Sequence, residues 1–216
     1  MARMNRAGGD PNVLNLTALE HQAILIQIPG DDETYFVDVG MGFSITRPAP
    51  LKVGYEFEGL APQKFRFTRG YHPDSPLVNK EAEEWRLQTN MDQRSNLIRD
   101  PGWITFMQFS TQPYYPKDIA GFNWLSHTRP DAILPKLVVA MIFSGGKRKG
   151  GSLRQKIVAG DSFLSRTAGC AVEIVKFESE DERIAVLTES FGIECPADSK
   201  ECIAGKPSAI GVKVDK

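Results

Sequence analysis

The chain has 216 residues, 41% hydrophobic and 25% charged, which is enough for one substantial core or two modest ones. Its formal net charge of −1 gives no electrostatic pull toward nucleic acid or an anionic membrane surface. No apolar run approaches the roughly 20 residues of a membrane span, and the start Met1-Ala2-Arg3-Met4 lacks the apolar stretch of a secretory signal, so a cytoplasmic location is expected.

Residues 1–20, with Gly8-Gly9-Asp10-Pro11 and little periodicity, read as an irregular lead-in. From His21 the texture changes to His-Gln-Ala-Ile-Leu-Ile-Gln-Ile, a turn at Pro29-Gly30-Asp31-Asp32, and Thr34-Tyr35-Phe36-Val37-Asp38-Val39, which predicts a β-hairpin. Apolar residues occupy both parities of both strands, so both faces are expected to be covered. A two-residue turn at Gly30-Asp31 would pair Pro29 with Asp32, Ala23 with Asp38 and His21 with Gly40. His21 and Asp38 would then be diagonal neighbours on one face, with Cβ atoms about 7–8 Å apart, within reach of an imidazole–carboxylate hydrogen bond. A slip of one residue would send them to opposite faces. Asp38 inside an apolar strand also needs a partner, because an unpaired buried carboxylate is costly. Gly40 and Gly42 fit a bulge, a close approach or a ligand contact.

Arg47-Pro48-Ala49-Pro50-Leu51 cannot be a central strand, since proline offers no ladder donor, and reads as an extended crossover. Lys64–Thr68, Glu84–Gln88 and Ile104–Phe109 alternate as antiparallel strands of a small barrel or curled sheet with polar residues outward. A helix is predicted from Tyr114-Tyr115-Pro116 through Trp124, with Asp118 near its start. After Thr128-Arg129-Pro130-Asp131 the texture shifts. Leu137–Phe143 and Ala171–Phe177 read as strands, Ser179–Phe191 as a capped helix, and the tail after Cys195 as frayed. The boundaries are therefore 1–20 lead-in, 21–130 β domain, 131–195 α/β domain and 196–216 flexible tail.

Three cysteines, Cys170, Cys195 and Cys202, form no Cys-x-x-Cys pair, and histidines at 21, 72 and 127 make no metal-ligand spacing, so neither a disulfide framework nor a metal is expected. Cys170 reads as a small buried hydrophobe, and Trp85, Trp103 and Trp124 as packing residues. The Gly145–Gly151 loop, with Lys147, Arg148 and Lys149, fails the phosphate-loop pattern and is expected to be a solvated hairpin tip.

His21, the strand that follows, and Asp38-Val39-Gly40-Met41-Gly42 resemble the centre of the arylamine N-acetyltransferase family, whose aspartate motif is usually Asp-Val-Gly-Phe-Gly. Arg47–Leu51, Pro116–Asn123, Thr128-Arg129-Pro130 and Phe191-Gly192-Ile193 match in order, so the resemblance runs from about Ala2 to Ile193. It implies an α+β fold with a papain- or transglutaminase-like core: an antiparallel β-barrel followed by an α/β lid. The family's first helical domain, with its Arg-Gly-Gly-x-Cys motif, is expected to be missing.

The resemblance implies His21 as base and Asp38 as its orienter in a Cys-His-Asp acetyl transfer from acetyl-CoA to an arylamine or hydrazine. It implies Met41 and Phe43 in the substrate pocket, with Met41 in place of the usual aromatic residue, and Thr128 as a coenzyme A contact. No permanently bound cofactor is expected. No cysteine precedes His21, so little or no turnover is expected from the pair alone. Alternatives are a non-catalytic remnant that binds coenzyme A or a partner, or another transglutaminase-like Cys-His-Asp enzyme. Loss of a helical domain would expose apolar surface and favour self-association.

Overall fold

The computed structural model describes residues 1–5, 14–40, 45–90, 102–129, 132, 134–146 and 152–211. The chain divides into two compact units, Met1–Asn123 and Trp124–Lys216. The described strands are antiparallel throughout and helices are few, an α+β arrangement.

The first unit holds β1 (Ala2–Met4), β2 (Ile24–Gln27), β3 (Thr34–Val37), β4 (Ala49–Pro50), β5 (Glu56–Glu58), β6 (Lys64–Gly70), β7 (Glu84–Thr89) and β8 (Ile104–Phe109). They form a five-stranded sheet in the order β1-β8-β7-β6-β5 and a three-stranded sheet β2-β3-β4. Pro50 lies on an edge strand, where its missing N–H costs no ladder bond. The core is aromatic. Phe36 of β3 packs at 5.5 Å from Phe67 and 5.1 Å from Phe109, and Phe57 stacks on Phe65 at 5.4 Å, so side chains from both sheets share one cluster.

Three expectations change here. The lead-in is not wholly irregular: Ala2–Met4 is an edge strand on β8, and Ala2 is completely buried. β8 does not turn its polar residues to solvent. Both its faces are buried, and Gln108 accepts from Arg86 Nε at 3.1 Å and donates to Glu84 at 2.9 Å, so hydrogen bonds offset the desolvation of its amide. The β2–β3 hairpin is covered on one face only. Leu25 and Phe36 meet the core, whereas Ile24, Ile26 and Ile28 remain 47%, 40% and 50% exposed.

Helix α1 (Pro116–Thr128) opens with Asp118 accepting from the Tyr115 amide at 3.0 Å, and the division between the units falls within it. The second unit holds a four-stranded sheet β12-β11-β10-β9, built from β9 (Val139–Ser144), β10 (Arg154–Ala159), β11 (Ser162–Thr167) and β12 (Glu173–Lys176). Helix α2 (Glu180–Phe191) packs on it through Leu187, beside Val158 and Phe177. Ser179 caps α2 by accepting from the Glu182 amide, and Gly192 ends it in the left-handed region at φ 69°.

The β10–β11 hairpin is absent from the sequence reading, because Arg154-Gln155-Lys156 masks its alternation. Its available signal is Gly160-Asp161 between two six-residue strands. The segment after Cys195 is not simply frayed: it forms α3 (Ser199–Ile203) and returns to α2. Arg183 donates to the Ser208 carbonyl at 3.1 Å, and Glu180 accepts from the Ile210 amide at 2.7 Å. Cys170 is exposed rather than buried, because it sits in the turn after β11.

Candidate functional site

Two elements bring His21 and Asp38 together. In the β2–β3 ladder Ile24 faces Val37, Leu25 faces Phe36, Ile26 faces Tyr35 and Gln27 faces Thr34, the register that a Gly30-Asp31 turn requires. Gly30 has φ +86° and the Asp31 amide donates to the Ile28 carbonyl at 2.9 Å, so the reversal is a turn centred on Pro29-Gly30 rather than the expected two-residue turn at Gly30-Asp31, while the ladder keeps the expected register. Continued outward, this register places Ala23 opposite Asp38 and His21 opposite Gly40.

His21 itself lies outside the regular strand and is held by its backbone. The Ala2 amide donates to the His21 carbonyl at 2.7 Å, and the His21 amide donates to the Ala2 carbonyl at 3.2 Å. Because β1 is in turn paired with β8, the imidazole's base is tied to the five-stranded sheet while its partner carboxylate follows β3. The lead-in, which carries no motif in the sequence, thus positions the residue the motif depends on.

His21 Nε2 stands 2.6 Å from Asp38 Oδ2, with side-chain exposures of 13% and 0%. Asp38 Oδ1 accepts from the Gly40 amide at 3.0 Å. An ionised carboxylate only accepts, so Nε2 carries the ring proton and donates it. Nδ1 is then the nitrogen with the lone pair, and it has no hydrogen-bond partner among the described residues. Such an arrangement can act as an oriented general base: a carboxylate so placed fixes the tautomer and would steady an imidazolium formed by protonation at Nδ1. None of the described contacts of His21 involves a thiol.

Thr128 ends α1, is exposed, and its hydroxyl donates back to the Trp124 carbonyl at 2.9 Å. It belongs to the second unit, while His21 and Asp38 belong to the first. Met41, Phe43 and the Lys147–Lys149 stretch lie outside the described residues. Trp124 is exposed rather than packed, whereas Trp85 lies beneath the Arg69 guanidinium at 4.9 Å. Among the described residues there is no cluster of three His, Cys, Asp or Glu side chains suited to a metal ion, and no helix is long and apolar enough to cross a membrane.

Residues 7–199 match a family model described as N-acetyltransferase. A curated relative, the N-malonyltransferase FDB2 of Fusarium pseudograminearum, is 26% identical over 174 residues, covering 79% of this chain and 50% of the relative. The chain spans about half the length of the curated relatives it matches. Among solved structures, the arylamine N-acetyltransferase of Mycobacterium abscessus superposes with a TM-score of 0.71 at 18% identity, covering 93% of this chain and 61% of that one. The Mycobacterium marinum arylamine N-acetyltransferase in complex with CoA gives 0.64 at 19% identity, covering 89% and 61%. At these identities the structural likeness speaks for the fold.

Proposed function

Because the chain belongs to the arylamine N-acetyltransferase family, we propose that it supplies the general base and its orienting carboxylate for acyl transfer from an acyl-coenzyme A to a small-molecule amine. The observation that carries this reading is the 2.6 Å contact between His21 Nε2 and the buried Asp38 carboxylate, which leaves Nδ1 as the basic nitrogen. In the proposed cycle Nδ1 takes the proton of a cysteine thiol, and the thiolate attacks the carbonyl carbon of the acyl thioester. The coenzyme A thiolate leaves and takes the proton from the imidazolium. The amine then attacks the acyl-cysteine, gives its proton to Nδ1, and the cysteine thiolate departs. Asp38 keeps Nε2–H in place throughout and stabilises each imidazolium.

None of the described contacts of His21 involves Cys170, Cys195 or Cys202, and the match to the curated relatives covers only about half of their length. We read the nucleophilic thiol as supplied by protein outside these 216 residues. The acyl group is left to the donor pocket, and the fungal malonyltransferase favours testing malonyl-CoA beside acetyl-CoA.

The test is arylamine N-acylation by the product of the full open reading frame that contains this chain, assayed with both donors. Asp38→Asn is expected to lower kcat by about 10³–10⁴-fold through loss of the tautomer, and His21→Gln by at least as much. Turnover by the 216-residue chain alone, without added thiol protein, would remove the basis for an external nucleophile. Full activity of the His21→Gln enzyme would remove the base.

A further inference from the structure

We propose that Gly40 is a positioning residue for His21, with its backbone N–H holding Asp38 and its missing side chain keeping open the space beside the imidazole edge that leads to Nδ1. The proposal rests on the reading of His21 as the base and adds the group that sets its orientation and access.

A glycine is commonly required where φ is positive, as at Gly30 and Gly192, and nine glycines among the described residues are of this kind. Gly40 is not one of them, so its backbone conformation admits other residues. What distinguishes it is its surroundings. A Cβ built at Gly40 would lie 3.4 Å from His21 Cε1 and 3.9 Å from Asp38 Oδ1. Cε1 is the ring carbon bonded to both nitrogens, so the face of the hairpin at Gly40 looks onto the ring edge that joins the paired nitrogen to the basic one. Carrying the β2–β3 register three residues outward sets residue 40 opposite residue 21, in keeping with this closeness.

The two functions of Gly40 act in the same direction. Its amide, 3.0 Å from Asp38 Oδ1, fixes one carboxylate oxygen so that the other points at Nε2. Its bare Cα lets the ring occupy the remaining space without tilting. A methyl group at 3.4 Å sits at the close limit of van der Waals contact with the ring. A β-branched side chain adds two γ-carbons, and a rotamer that turns one of them toward the ring pushes the imidazole off Asp38 or covers Nδ1.

The experiment uses the 216-residue chain and its Gly40→Ala and Gly40→Val variants. Long-range proton–nitrogen NMR spectra report which ring nitrogen of His21 carries hydrogen, and the rate of carbethoxylation by diethyl pyrocarbonate, read by peptide mass spectrometry, reports access to the unprotonated nitrogen. His72 and His127 in the same samples are internal controls. Wild type is expected to show the Nε2–H form and a measurable modification rate at His21. Gly40→Val is expected to lose that form or to slow His21 modification by about tenfold, the scale of an overpacked site, with His72 and His127 unchanged. Gly40→Ala should move the same readouts in the same direction by less. A folded Gly40→Val variant with wild-type ring spectra and a wild-type His21 rate would overturn the proposal. If Gly40→Val does not fold, a Gly40→Ala variant matching wild type in both readouts overturns it instead. A wild-type His21 without the Nε2–H form would overturn the base assignment and this proposal together, whereas normal wild-type spectra with insensitive variants would sink this proposal alone.

Discussion

At the scale of the residue, Asp38 serves structure as well as the proposed chemistry. Its side chain is fully buried and accepts from the His21 ring and the Gly40 amide. Asp38→Ala strands both donors, and a cost of about 1–3 kcal/mol is expected in urea unfolding, with Asp38→Asn less affected because it keeps an acceptor for one donor. Asp161 gives the pH dependence. Its carboxylate accepts from Lys176 Nζ at 2.8 Å and from Ser162, and these bonds lower its pKa from the ordinary carboxylate value. A carboxyl whose pKa is depressed by folding stabilises the fold above its unfolded pKa, and the contribution is lost as pH falls through the folded value. Both side chains of the Asp161–Lys176 pair are more than half exposed, so solvent screening holds the effect to at most about 1 kcal/mol. Asp161→Asn is expected to lower the urea midpoint slightly near neutral pH and to match wild type in acid below the folded pKa.

At the scale of the element, the Glu180–Arg183 pair of α2 decides how the last described residues are held. Arg183 is almost completely buried and bonds Glu180 at 2.6 Å, the Gly160 carbonyl at 3.0 Å and the Ser208 carbonyl at 3.1 Å. One guanidinium thereby joins α2, the β10–β11 turn and the segment after α3. Such a fork can serve three acceptors because its donors are fixed in one plane, which a lysine cannot reproduce. Arg183→Ala leaves a half-buried carboxylate and two carbonyls without this partner and is expected to cost about 2–4 kcal/mol. Limited proteolysis should then cut first after Ile203; an unchanged digestion pattern and urea midpoint would show that the clamp contributes little.

At the scale of the whole molecule, the β2 edge strand presents Ile24, Ile26 and Ile28 outward as an apolar stripe. Exposed isoleucines on an unpaired edge favour association, since both the side chains and the backbone groups gain from a partner. The chain is expected to bind a hydrophobic dye and to associate with rising concentration. Ile26→Lys should reduce both, measured by dye fluorescence and light scattering, while leaving the core untouched because Ile26 faces away from Phe36. Equal association of the variant and wild type would place the sticky surface elsewhere.

Much of the site was legible in the sequence because it is local. Pro29-Gly30 makes the turn, the β2–β3 ladder takes the register read from the sequence, and that register carried outward leads His21 and Asp38 toward one face. Ser179 and Gly192 bound α2 for equally local reasons, through a capping hydroxyl and a left-handed terminus. The contacts that sequence patterning could not supply are those between segments distant in the chain. Ala2 grips His21, Gln108 is satisfied by Arg86 and Glu84, and Arg183 reaches Ser208, each through partners that no periodicity encodes. A short-range hydrogen bond is written into neighbouring residues. A buried polar side chain is satisfied only by what the folded chain brings to it, and that is why tertiary structure alone decided which polar faces are core and what fixes the imidazole in place.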